Sequence, residues 1–395
     1  MKKLFLAGVS LILGLGILIG SLDAADEAKQ EPAKLERYKV GALFAITGPA
    51  SWLGEPERNT VLMIEEEVNK SGGINGHPLK LIIEDTVGDG TKTVNAAKKL
   101  IASDKVCAII GPSRSGCTMA IVPIVQAAEI PLISCAAAEA IVIAPDGKQN
   151  KWVFKTPQKD SHAAEKIFEH MKANGIKRIA LLTGTTGFGA QGREQLKKLA
   201  PVWGMEIVAD ETYGPKDSDM TVQLTKIKAK NTQAIINWSI VPAQAIVCKN
   251  MKQLGIELPL YQSHGFGNIK YVQVAGGAAE GTIFPCGRLL VVESLPNDHP
   301  QKKVLARYKK DYEDRFNENV STFGGHAYDA LWLVIEALKE VGPDREKIRD
   351  YLEGKKGFVG TGGVFMFTPD DHNGLTREAF EILTVKDGKF DVLEK

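Results

Sequence analysis

Charge of one sign is what this chain has least of. Lys and Arg total 49 against 48 Asp and Glu, a formal net charge of +1, and removing residues 1–24 (two lysines, one aspartate) leaves zero. A neutral chain has no electrostatic case for nucleic acid or an anionic membrane surface. Long apolar runs are also scarce. The one at residues 4–19 follows a basic "MKK" and precedes the small residues of "SLDAAD". Sixteen residues fall short of the roughly 20 needed to span a bilayer, so residues 1–25 are expected to be a cleaved export signal and 26–37 a polar lead-in. Cysteine is sparse and odd in number, five in all, and none precedes Cys107, which argues against a lipid-anchored N-terminus. CxxC and HxxxH spacings are missing, so no metal is expected. Cys107 and Cys248 lie in apolar runs and read as buried free thiols. Cys117 and Cys135 follow successive strands, and sequence leaves their pairing open. Disorder, collagen and a polytopic membrane protein are excluded by 44% apolar and 25% charged residues.

What is present is a repeating rhythm of strand, loop and helix. "YKVGALFAI", "LKLIIED", "VCAIIG" and "PLIS" read as strands, separated by helical patterns at residues 53–69, 91–102 and 120–128. Near-continuous apolar strands of this kind imply a parallel sheet covered on both faces. "KWVFKTPQKD" breaks the rhythm and a second series follows. Its strands are "RIALLTG", "EIVADETY", "AIINWS" and "LPLYQS", with helices expected over 161–173, 191–199, 220–230 and 243–254. Two α/β units of about 120 residues result. The tail from "GTIFPCGRLL" adds a long helical region and a closing strand, "EAFEILTV", and is expected to complete the first lobe. Open parallel sheets bind ligands at the carboxyl ends of their strands. The loops "TGPASW", "GPSRSG", "SCAAAEA", "TTGFGAQG", "NWSIVP" and "QSHGFGN" are therefore the candidates for a cleft.

Several chemistries compete for these loops. "GFGAQG" matches G-x-G-x-x-G between a strand and a helix, and Asp210 falls near the distance of a ribose ligand. The motif lies mid-chain, however, and a glycine-rich loop suits any polar ligand. "GPSRSG" sits where hydrolases carry a nucleophile elbow, but it is not G-x-S-x-G. Ser115 paired with His264 is the enzyme alternative (hydrolase or nucleotide-dependent). Ser115 with the amides of a helix N-terminus makes a carboxylate site, and Ser115 as a plain N-cap is the bland reading. Trp52 and Trp238 stand at strand ends, where loop-borne aromatics wall an apolar ligand, although a core role is the default for tryptophan.

Taken in order, "VGALFAITGPASWLGEPERN", "SGGINGHPLKLIIED", "IIGPSRSGCTMAIVPI", "IPLIS" and "AGGAAEGTIF" resemble the solute-binding proteins of ABC importers of the leucine/isoleucine/valine-binding type. The resemblance runs from Tyr38 to the C-terminus. It implies an α/β protein of the type I periplasmic binding fold, with two doubly wound parallel-sheet lobes joined by three crossovers near 156–158, 284–287 and 374–378. The first lobe is expected to comprise 38–157 plus 286–376 and the second 158–285 plus 377–395, with the ligand cleft between them. It further implies a periplasmic monomer that performs no chemistry, needs no cofactor and delivers a small solute to a membrane permease.

By position, Trp52 matches an aromatic that packs on the ligand and Ser115 the serine that binds its carboxylate. Ala136 and Ala138 match the loop whose backbone completes that contact. Phe188 takes a family tyrosine position, and Trp238 and Ser239 lie on the next cleft loop. His264 stands where amino-acid binders carry a glutamate for the α-ammonium, and Ala138 where a threonine hydroxyl would accept. Glu139, next door, is the one local compensation. An ammonium buried without acceptors costs several kcal/mol. The expected ligand is therefore a small, partly apolar carboxylate, branched-chain amino acid-like or an aromatic acid, with the deamino forms favoured.

Overall fold

The computed structural model describes residues 35–393, so the expected export signal lies outside the described residues. β1 (Tyr38–Phe44) is an interior strand of a five-stranded parallel sheet of order β2-β1-β3-β4-β5. Its partners are β2 (Leu79–Asp85), β3 (Ala108–Ile110), β4 (Leu132–Ser134) and β5 (Val153–Lys155). All of β1 except Lys39 is buried, as a strand covered on both faces requires. The covering helices include α1 (Ser51–Lys70), α2 (Gly90–Lys99), which runs on into a π turn (Leu100–Asp104), and α3 (Ser115–Ala127).

β5 corrects the reading of "KWVFKTPQKD" as a simple break. Its middle forms the edge strand of the first sheet, paired with β4 from Leu132–Val153 to Ser134–Lys155. Three residues flanked by Thr-Pro are too short for periodicity to register.

The second series runs α4 (Asp160–Ala173), β6 (Arg178–Gly184), α5 (Gly187–Leu199), β7 (Glu206–Tyr213), α6 (Thr221–Lys228), β8 (Ala234–Trp238), α7 (Ala243–Gln253), β9 (Leu260–Gln262), α8 (Ile269–Ala275) and β10 (Ile283–Cys286). The chain then forms α9 (Lys302–Phe316), α10 (Thr322–Val341), α11 (Arg345–Glu353) and a hairpin of β11 (Lys356–Val359) and β12 (Val364–Met366). α10 lies along α1, and its apolar stripe shares a core with β1 and β2. Last come β13 (Glu381–Lys386) and β14 (Lys389–Val392).

The second sheet has the order β14-β13-β10-β9-β8-β6-β7. It is mixed rather than wholly parallel, because β13 runs antiparallel to both β10 and β14. The β13–β14 pair is a hairpin: Asp387 and Gly388 both adopt positive φ (52° and 70°), the requirement of its two-residue turn. All five cysteines are buried free thiols, so Cys117 and Cys135 do not pair.

Candidate functional site

In the first lobe the cleft loops are tied by their own side chains. Asp85 accepts the Ile46 and Val87 amides at 2.9 Å and the Thr47 amide at 3.3 Å, which fixes the approach to Trp52. Ser115 is not an N-cap. Arg114 occupies that position without a side-chain cap bond, and Ser115 Oγ accepts the Ala138 amide at 3.3 Å. Ala136 donates to Ser134 Oγ at 3.1 Å. Both alanine amides are therefore engaged in building the loop, and the unbonded donors at this corner are the first-turn amides of α3.

The glycines of "GFGAQG" have packing roles. A Cβ on Gly189 would lie 1.9 Å from the Gly184 carbonyl oxygen, and one on Gly192 would lie 2.0 Å from Trp238 Nε1. α5 starts at Gly187, capped by Thr186 Oγ1, which accepts the Gly189 amide at 3.4 Å. Asp210 is held by Arg193 at 2.6 and 2.7 Å and by Lys197 at 3.1 Å. Motif and acid are thus spent on structure, which removes the nucleotide reading.

Phe188, Trp238 and His264 come together as expected from their strand-end positions. Ring centroids lie 5.8 Å apart for Phe188–Trp238, 5.3 Å for Phe188–His264 and 5.6 Å for Trp238–His264. Phe380 closes the group at 5.6 Å from His264. Ser239 does not join them. Its Oγ accepts the Val241 amide at 3.4 Å, and its carbonyl accepts from Ser263 Oγ at 3.0 Å. Consecutive residues at a strand end point to opposite faces, so Trp238, packed against Gly192 of α5, places Ser239 on the other side.

The lobes are closed on each other. Trp52 meets Tyr271 edge-on at 5.3 Å, and its carbonyl accepts from Asn268 Nδ2 at 3.0 Å. Glu55 and Lys270 pair at 3.5 Å. Trp52 is thus part of the rim between the lobes. Deeper in, the first turns of α3 and α5 abut, and a Cβ on Gly187 would lie 2.8 Å from Gly116 Cα and N.

Four residues in this region escaped sequence reading: Lys155, Asp160, His326 and Phe380. Lys155 is fully buried, and its ammonium donates to the carbonyls of Ala137 at 3.0 Å, Pro157 at 2.7 Å and Gln158 at 3.1 Å. Three acceptors match three donors, which requires the charged form. Burial pushes its pKa down, and the nearby Asp160 carboxylate opposes that shift. Asp160, also fully buried, is pushed up by burial and held back by Lys155. Its Oδ1 accepts the amides of Glu139 at 3.1 Å and Ser161 at 3.0 Å. A lysine among strand residues was the one visible signal. His326 is hidden in the stripe of α10.

His264 and His326 are 6% and 7% exposed. Both nitrogens of His264 and Nδ1 of His326 are buried without a hydrogen-bond partner among the described residues. A Ser115–His264 couple therefore does not exist, and the hydrolase reading loses its geometry. Burial, reinforced by the Lys155 charge, lowers the pKa of both rings, His326 to about 3.

The sign of the pH effect follows. A ring whose pKa is depressed in the closed form favours closure above its ordinary value of 6.5 and loses that contribution as pH falls toward its lowered value. Affinity at pH 5.5 is expected to drop by about tenfold per ring relative to pH 7.5. Asp160, raised by burial, acts in the opposite direction. Titration calorimetry on a His264→Gln, His326→Gln variant should accordingly give a flat or inverted profile. An unchanged acid loss in that variant would acquit both rings.

The geometry defines two α/β lobes that meet along their strand-end loops. The profile of the periplasmic binding protein family matches residues 37–389, and the chain belongs to that family. Within it the chain is of the leucine/isoleucine/valine-binding-like type, which binds solute without transforming it. A leucine-, isoleucine-, valine-, threonine- and alanine-binding protein of Pseudomonas aeruginosa is 24% identical over 334 residues, covering 83% of this chain and 85% of that one. An extracellular ligand-binding receptor of Rhodopseudomonas palustris HaA2 superposes with a TM-score of 0.83 at 30% identity, over 91% of this chain and all of that one. The branched-chain amino acid transporter substrate binding protein LivJ of Streptococcus pneumoniae, solved with isoleucine, gives 0.79 at 26%, over 90% and 98% of the two chains.

Proposed function

We propose that this protein is the exported solute-capturing subunit of an ABC import system. It closes on a small, partly apolar carboxylate without an α-ammonium and hands it, as a monomer, to a membrane permease. Relatives named for branched-chain amino acids support the transport role. The observation that carries the ligand class is His264, a buried neutral ring at the position where the family resemblance calls for an acid. An ammonium there needs acceptors, and the buried acid of this region, Asp160, already feels the Lys155 charge and keeps only Oδ2 without a partner among the described residues. Ala138 adds no hydroxyl.

A thermal-shift panel of branched-chain amino acids, their deamino acids and aromatic acids tests this reading. A ligand at ~100 times its Kd adds about 2.7 kcal/mol of stability. Deamino or aromatic acids are expected to raise Tm and leucine to leave it unmoved. A shift with leucine or valine alone would replace the reading with an amino-acid binder.

A further inference from the structure

We propose that His264 and His326 together form a hydroxyl-recognising subsite, so that the solute is a hydroxylated, partly apolar carboxylate. This inference rests on the carboxylate reading above and narrows it.

The two rings come from opposite lobes. His264 opens the short turn after β9 (His264–Phe266), and His326 lies in the second turn of α10. α10 is docked on the His264 loop: the Thr322 amide donates to the Gly267 carbonyl at 3.1 Å. Thr322 and His326 are four residues apart, so both face that loop. Charge on the His326 ring would disfavour charge on His264.

Among the described residues no protein group bonds to either nitrogen of His264 or to Nδ1 of His326. His264 is walled by Phe188, Trp238 and Phe380, which offer it no acceptor. The Lys155 ammonium, the nearby cation, uses all three of its protons on backbone carbonyls. Asp160 Oδ1 is taken by two amides, and its Oδ2, buried without a partner among the described residues, makes no bond to either ring.

A neutral imidazole carries one N–H donor and one bare acceptor nitrogen. A carboxylate offers acceptors only, an ammonium donors only, and a hydrocarbon neither. A hydroxyl offers both, and one hydroxyl can accept from one ring while donating to the other. Because the rings sit on different lobes, it engages one nitrogen of each only in the closed form, which is how a ligand favours closure. A site built to bond a hydroxyl also discriminates against the analogue that lacks it, since its own polar atoms are then left unpaired.

The test is titration calorimetry of the full mature chain with matched pairs. These are benzoate against 4-hydroxybenzoate, 3-phenylpropanoate against its 4-hydroxy form, and 4-methylpentanoate against its 2-hydroxy form. In at least one pair the hydroxylated member is expected to bind more than about 30-fold tighter. His326→Leu should erase that preference, in part by raising the affinity of the bare acid, which no longer leaves a buried ring unpaired, and His326→Gln, which keeps a donor and an acceptor, should restore part of it. The apo Tm of each variant shows that it is folded. Binding of bare and hydroxylated acids alike overturns the subsite and leaves the carboxylate reading standing, as does a preference that survives His326→Leu. Binding of none of the six acids overturns both.

Discussion

Gly187→Ala is expected to weaken ligand binding by about 10- to 100-fold while leaving the apo protein as stable as before. The added methyl would lie 2.8 Å from the Cα and N of Gly116, backbone atoms at the start of another helix on the other lobe. Neither helix can yield without leaving its own sheet, so the lobes must part. Overpacking of this kind costs about 1–3 kcal/mol, and 1.4 kcal/mol is tenfold in affinity. With the lobes apart the methyl meets nothing from Gly116. The reciprocal change is the control. A Cβ on Gly116 would sit 3.8 Å from Gly187, an ordinary contact, so Gly116→Ala should bind nearly as the parent does. Calorimetry and small-angle scattering with and without ligand decide the matter. Equal effects of the two substitutions, or normal compaction of Gly187→Ala, would show that the glycine contact does not govern closure.

Lys155→Met should be the most damaging single change to stability, at about 3–5 kcal/mol. Removing the ammonium strands three buried carbonyls and leaves Asp160 without its counter-charge. In a chain of this length the Tm is expected to fall by about 4–7 °C. The same substitution frees the Ala137 carbonyl in the cleft loop from the segment 156–159 that links the sheets, so ligand affinity should fall as well. A Tm within about 2 °C of the parent would mean that water or backbone rearrangement replaces the lysine.

These two effects mark where sequence reading succeeds and where it stops. β6 and β7 coincide with "RIALLTG" and "EIVADETY", because long apolar or alternating runs in an α/β rhythm admit little else. α5 begins four residues earlier than its pattern suggested. Three glycines in six residues read as loop, and only the Thr186 cap and the contacts of Gly189 and Gly192 show why the helix tolerates them. The meeting of Phe188, Trp238 and His264 was legible since Trp238 ends β8 and the other two follow β6 and β9 by a few residues, at the carboxyl end of the sheet. Lys155, Asp160, His326 and Phe380 lie outside those loops, on a strand end, a helix start, a helix stripe and a linking segment. Their meaning comes from what closure brings beside them, and no local pattern encodes it.

The rim formed by Trp52 with Tyr271, Asn268 with the Trp52 carbonyl and Glu55 with Lys270 involves protein groups alone. It therefore favours the closed form by the same amount whatever solute is inside. Apparent affinity scales with the fraction of molecules already competent to bind, so a change at the rim worth 1.4 kcal/mol multiplies the Kd of every solute by the same tenfold factor. Selectivity ratios stay fixed. Sensitivity and choice of solute are in this way separate properties: the rim adjusts how dilute a solute can be captured, and the cleft decides which one.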